Sequence, residues 1–143
     1  MVFAFTADYT AKGPADFLGS YRGYLQADAL AQYEGLYGPE RVRHCCCWAH
    51  ARRKFVAAAE GGDERANAAL ALIAQLYAIE RELLPLLPPS DDPAGAAARL
   101  KREEQRRQLR QLQAPPVLAQ LKGWLDEQGP RALPKSLLGK AIG

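Results

Sequence analysis

Hydrophobic positions in the first third of the chain fall into short runs that predict strands. Aromatic, β-branched and other apolar residues dominate residues 2–6, 24–28 and 42–47, and the second run ends at an acidic residue, Asp28. Runs of this length and composition are typical of buried strands. Between the last two runs, apolar residues at helical spacing over residues 29–37 predict a helix that Gly38 and Pro39 end.

From residue 48 onward the pattern is helical. Apolar residues recur on one face over residues 48–59, which predicts a helix that ends at the glycines 61 and 62. A wide apolar arc predicts a largely buried helix that runs to about residue 84. Four prolines over residues 85–93 predict a loop, because proline breaks helices. Beyond it we expect a polar helix over 94–113, a new helix from Pro115, and a last helix capped by Ser136.

The composition excludes a disordered chain and a membrane-spanning one. Hydrophobic residues make up 48% and charged residues 24% of the chain, as in ordinary globular proteins. The longest unbroken apolar run has seven residues, whereas a membrane span needs about 20. The N-terminus has no basic region before an apolar stretch, so we expect no secretory signal. Together with three adjacent cysteines, which make poor disulfide partners, this predicts a reducing, cytoplasmic location.

Positive charge is concentrated in one segment. The net charge is +3, yet residues 1–40 carry two basic and five acidic residues. Residues 41–59 carry five basic residues, no acidic ones, and both histidines. Arg52, Arg53 and Lys54 lie in this segment and are candidates for contacts with the phosphates of a polyanion. A solvated helix face is the alternative interpretation, and the basic helix over 94–113 equally suits surface ion pairs.

Two further places carry residue types that bind metal ions or take part in catalysis. Asp28 ends a predicted strand, where α/β sheets place their ligands and where Mg²⁺ finds carboxylate oxygens; capping of the next helix is the simpler alternative. Cys47 and His50 are three residues apart and can meet across one helical turn. The cluster from Cys45 to His50 also contains zinc-ligand types, but zinc modules ordinarily use two separated clusters, and the chain offers one.

Several of these segments resemble one protein family in order and spacing. The motifs GYLQAD (residues 23–28) and CWAHARRKF (residues 47–55), with the flanking YR, VRH, LPKS and LGKAIG, resemble the central domain of insertion sequence 66 family transposases. The resemblance implies an α/β, mainly helical fold: a partial ribonuclease-H-like core of about three short strands with an α-helical insertion. It divides the chain into a partial catalytic core (residues 1–62), the insertion (63–133) and the start of a returning core helix (134–143).

The resemblance also implies a chemistry. Such transposases cleave DNA and transfer strands with two Mg²⁺ ions held by two aspartates and a glutamate. Asp28 matches the second aspartate, and Cys47 with His50 matches a motif of structural or substrate-orienting role. Ala29 and Leu30 depart from the family's usual Gly-Tyr at these positions. DNA is the implied partner, and other transposase subunits are further candidates.

The first aspartate and the glutamate have no counterpart in these residues, so we expect the chain alone to be inactive in strand transfer. Two alternatives stay open at this point. One is a helical DNA-binding module without catalysis, and the other is a small zinc-stabilised domain built on residues 45–50.

Overall fold

A computed structural model of the chain describes residues 10–27, 31–83 and 85–143. The chain divides into two compact units, Met1–His50 (unit 1) and Ala51–Gly143 (unit 2). The predicted strand over residues 2–6 lies outside the described residues. No helix in the described ranges combines the length and the apolar character that a membrane span requires.

Unit 1 is built around two short parallel strands. Helix α1 (Lys12–Leu18) comes first, followed by strand β1 (Gly23–Gln26), a 3₁₀ helix (Ala31–Leu36) and strand β2 (Val42–Cys45). Gly23 pairs with Val42, and Gln26 pairs with Cys45. Both strands were predicted from the sequence, and a parallel pair needs a crossover between its strands. The predicted helix over residues 29–37 is, in its described part, this 3₁₀ helix.

The two faces of this strand pair differ in character. Leu25 and Val42 lie on one face, and Val42 is buried with 3% of its surface exposed. Tyr24 and Arg43 lie on the other face and are exposed. Successive strand residues point to opposite faces, so the alternation in the sequence determines which face can bury apolar groups.

Unit 2 is helical around a single described core. Helix α2 (Trp48–Glu60), whose first three residues belong to unit 1, is followed by α3 (Ala66–Glu82), α4 (Pro93–Gln128), a 3₁₀ turn (Gly129–Arg131) and α5 (Leu137–Ile142). Helices α2 and α3 are separated at Gly62, whose φ of 90° is left-handed and suits glycine. The core residues come from all four α-helices: Phe55, Ala58, Ala66, Ala69, Ile73, Leu121 and Leu138.

The prolines at 115 and 116 do not begin a new helix, contrary to the sequence prediction. They lie inside α4, which continues for 36 residues. Proline costs a helix the hydrogen bond to the carbonyl four residues earlier. Here these carbonyls belong to Gln111 and Leu112, which are exposed, so water can satisfy them. Just after the prolines, the side chain of Val117 is buried, and Leu121 packs in the core of unit 2. The burial of these side chains offsets the free energy lost with the missing helical hydrogen bonds.

Side-chain caps begin two helices of unit 2. Asp92 accepts a hydrogen bond from the backbone N–H of Gly95 at 2.9 Å, ahead of Pro93 in the first turn of α4. Ser136 accepts one from the N–H of Gly139 at 3.0 Å, which confirms Ser136 as the predicted cap of the last helix. Such caps satisfy N–H groups that a helix start leaves without partners.

Candidate functional site

The carboxyl end of the parallel pair is the place where the sequence puts its candidate metal ligand. Asp28 itself lies outside the described residues, as do residues 29 and 30. The residue before it, Ala27, forms hydrogen bonds with β2 through both its N–H group and its carbonyl. Its N–H donates to the carbonyl of Cys45 at 3.3 Å, and its carbonyl is 3.1 Å from Nε2 of His44. The chain is therefore tied to β2 up to the residue that precedes Asp28.

His44 is the side chain that makes this connection. A carbonyl only accepts, so Nε2 of His44 carries a proton and donates to it. The sulfur of Cys46 lies 3.6 Å from Nδ1 and 3.8 Å from Nε2 of this ring. Tyr37 stacks on the imidazole with ring centroids 4.3 Å apart and planes 9° apart. His44 is thus held by a ring, a thiol and a carbonyl.

Sequence reasoning missed this role and treated His44 only as a possible zinc ligand. The signal was nonetheless present. Strand alternation puts His44 on the same face as Val42, two positions earlier, and therefore on the packed side of the sheet. A histidine on that face of a strand needs polar partners from its own surroundings.

Cys47 and His50 meet at the start of α2, as their spacing predicts. Cys47 immediately precedes the helix and is half-buried, and His50 lies in the first turn. Hydrogen bonds from the side chain and the backbone of His50, and from the backbone of Ala49, hold the pKa of the Cys47 thiol below its ordinary value. Thiolates are stabilised at helix N-termini and beside histidine. The motif's structural or substrate-orienting role stays a prediction.

This geometry predicts a pH dependence for Cys47. A lowered pKa keeps the thiolate, which is the reactive form, present at lower pH. We expect His50→Ala to move the pH midpoint of Cys47 alkylation by iodoacetamide upward, because the variant removes the side-chain hydrogen bond. Peptide mapping by mass spectrometry after timed alkylation measures this midpoint for Cys47 alone. An identical midpoint in the two chains would contradict the assigned hydrogen bond.

The described residues do not form a zinc site. Cys45, Cys46 and Cys47 are free thiols. Within the described part of the chain, no three histidine, cysteine or acidic side chains come close enough to share a metal ion. Tetrahedral zinc in a structural site needs four such ligands, so the structure gives the zinc-stabilised alternative no ligand set.

The basic residues of α2 lie on its surface. Arg52, Arg53 and Lys54 are exposed, while Phe55 and Ala58 turn into the core of unit 2. Among the described residues, no carboxylate forms an ion pair with Arg52 or Lys54. Their charge is therefore available to an anionic partner in solution.

In the described part of the chain, several basic residues of α4, unlike Arg52 and Lys54 of α2, form ion pairs with carboxylates. Arg110 forms two hydrogen bonds with Glu80 of α3, one of 2.7 Å, and this guanidinium holds the pKa of Glu80 below its ordinary value. Arg106 lies 3.8 Å from the same carboxylate. Arg107 pairs with Glu104 and lowers the pKa of Glu104 to about 2. Glu103 pairs with Arg99 at 2.9 Å, so the ion-pair interpretation of this helix is confirmed.

Comparisons with known proteins give one consistent result. The family model described as "Transposase IS66 family" matches residues 1–143. A curated relative from Sinorhizobium fredii, named "Uncharacterized protein y4jD", is 32% identical over 147 residues. This alignment covers 98% of the chain and 26% of the relative, so the chain spans about a quarter of that protein's length. No solved structure matches the chain.

Proposed function

Because the chain belongs to the IS66 family of transposases, we propose that it forms part of a ribonuclease-H-like core that cleaves and joins DNA during transposition. One observation supports this most directly. The two strands run parallel, and the segment leading to Asp28 is hydrogen-bonded to β2 through Ala27. Such a strand end, followed by a carboxylate, is where α/β sheets place catalytic ligands.

Asp28 is the proposed contribution of this segment to a magnesium site. Mg²⁺ prefers oxygen ligands and is bound through carboxylates. The described residues do not contain a cation site of their own. One carboxylate does not hold two ions that lie about 4 Å apart. In this proposal the remaining ligands come from elsewhere in the transposase, and Asp28 binds the metal ions only together with them.

Cys47 and His50 are proposed to set the start of α2. The hydrogen bond between these two side chains lies at the first turn of α2 and fixes the backbone there. The division into a core over residues 1–62, a helical insertion over 63–133 and a returning helix from residue 134 belongs to the same proposal.

Arg52, Arg53 and Lys54 are proposed to contact DNA phosphates, and this is tested by removing their charges together. We expect the triple change to glutamine to weaken binding of a short DNA duplex at low salt. The slope of log affinity against log salt should fall by about one for each phosphate that the variant no longer neutralises. Fluorescence anisotropy at several salt concentrations measures both quantities.

A matched control removes the same charge elsewhere. Arg107, Lys122 and Arg131 are surface cations of unit 2, each paired with a carboxylate three or four residues away in the sequence. Their triple change to glutamine should leave the salt slope nearly unchanged. Equal losses of affinity in the two triple variants would show a general charge effect and would count against a DNA-contacting face on α2.

A further inference from the structure

The exposed face of the parallel pair carries an aromatic and basic surface, here called the tyrosine face and defined by Arg22, Tyr24, Arg41 and Arg43. Tyr24 and Arg43 are directly opposite each other in the strand register. Tyr24 is 66% exposed. The sequence placed Arg41 and Arg43 in the basic segment over residues 41–59 but did not single out this surface as a site.

Contacts hold the Tyr24 ring in place on this face. Arg43 donates a hydrogen bond from Nη1 to the hydroxyl of Tyr24 at 3.1 Å. The Cζ atom of Arg43 lies 5.6 Å from the centroid of the Tyr24 ring, within the range of cation–π attraction. The hydroxyl of Tyr21 donates to the carbonyl of Tyr24 at 3.1 Å. The exposed ring is thus fixed beside a cation.

The other arginines extend the positive charge to the amino end of the pair. Arg22 and Arg41 directly precede β1 and β2, and the N–H of Gly23 donates to the carbonyl of Arg41 at 3.2 Å. Both arginines are exposed.

No acidic side chain neutralises this charge in the described part of unit 1. The acidic residues there are Asp16, Glu34 and Glu40, and none of them forms an ion pair with the three arginines of the tyrosine face. The surface therefore presents positive charge to an anionic partner.

The composition of the face argues for a nucleic acid rather than for another layer of protein. Parallel sheets that helices cover on both faces carry apolar residues on both. Here only the opposite face, with Leu25 and the buried Val42, has that character. Arginines are rarely buried without partners. Exposed aromatic rings beside cations are the combination with which proteins bind single strands, because bases stack on the rings while phosphates meet the charges.

We propose that the tyrosine face binds an unpaired stretch of DNA, with a base stacked on Tyr24 and the adjoining phosphates at Arg22, Arg41 and Arg43. The proposal rests on the proposed function, since it names the form of DNA that this part of a transposase holds. Its binding surface lies entirely in unit 1 and shares no residue with the basic surface of α2.

The test measures binding of two labelled probes, oligothymidylate and a short duplex, to the 143-residue chain by fluorescence anisotropy. Stacking on an aromatic side chain contributes about 1–3 kcal/mol per base, so Tyr24→Ala should weaken oligothymidylate binding about fivefold or more. Tyr24→Phe keeps the ring and should retain most of the affinity. Arg43→Gln should lower the salt slope for oligothymidylate by about one. Circular dichroism checks that the variants fold alike, as expected for an exposed side chain.

The two probes separate this proposal from the proposed function. If Tyr24→Ala binds oligothymidylate as tightly as the unchanged chain does, the proposal is overturned, and the face is better interpreted as a docking surface for protein. Duplex binding that depends on Arg52, Arg53 and Lys54, without binding of oligothymidylate, overturns this proposal and leaves the proposed function standing. A chain that binds neither probe contradicts both.

Discussion

Replacing Ile73 with alanine is expected to lower the free energy of unfolding of unit 2 by about 2–5 kcal/mol, as large-to-small changes in packed cores do. Ile73 is fully buried on α3, in the cluster that joins α3 to α2, α4 and α5. The variant forfeits the transfer free energy of the removed carbons and leaves a cavity that helices on several sides cannot close. Urea denaturation followed by circular dichroism measures the decrease.

Leu112→Ala is the matched control for this prediction. Leu112 is also an aliphatic residue within a helix, but it lies on α4 with 74% of its surface exposed. Its truncation should change the free energy of unfolding by no more than about 0.5 kcal/mol, as is usual for surface positions. Similar decreases in the two variants would mean that Ile73 does not lie in the core of unit 2.

Asp28→Asn is expected to abolish strand transfer by any transposase chain that contains this segment. An amide has the shape of the carboxylate but lacks the negative charge that binds and neutralises Mg²⁺. Binding of duplex DNA should stay within about twofold, because Asp28 is not among the residues proposed to meet phosphates. A strand-transfer assay on the transposon ends with Mg²⁺ or Mn²⁺, paired with anisotropy, measures the two effects separately.

Asp16→Asn serves as the control, since Asp16 is an exposed carboxylate on α1. It should leave strand transfer unchanged. Full activity of Asp28→Asn would remove Asp28 from the proposed metal site. The alternative of a DNA-binding module without catalysis instead predicts normal DNA binding and no strand-transfer product, under any metal, even from an unchanged transposase chain that contains this segment.

Local signals in the sequence were sufficient for most of the secondary structure. The apolar runs predicted β1 and β2, the glycines at 61 and 62 ended α2, and Ser136 began α5. The same kind of signal failed at Pro115 and Pro116. There the backbone preference of two residues was outweighed by the packing of Val117 and Leu121, which a local pattern does not contain. Propensity is a weak prior wherever tertiary contacts oppose it.

The candidate site was also predicted only in part: its motif residues were identified, but its contacts between distant positions were not. The motifs identified Asp28, Cys47 and His50 as residues of interest, and the three-residue spacing predicted that Cys47 and His50 would meet. The contact between His44 and Ala27 was not predicted, because its partners are 17 positions apart in the sequence. The pairing of Tyr24 with Arg43 spans 19 positions. Both depend on the register of β1 and β2, which no short motif specifies.

The amino-acid sequence alone therefore established the family, the strands β1 and β2, the ends of several helices, and the residues on which its chemistry is proposed to depend. These properties follow from residue identity and from interactions over a few positions along the chain. Strand register, the continuity of α4 and the pairing of Glu80 with Arg110, which is 30 positions away, emerged only with the folded chain. Each arises from packing between distant segments, whose free energy depends on the whole arrangement rather than on any local pattern.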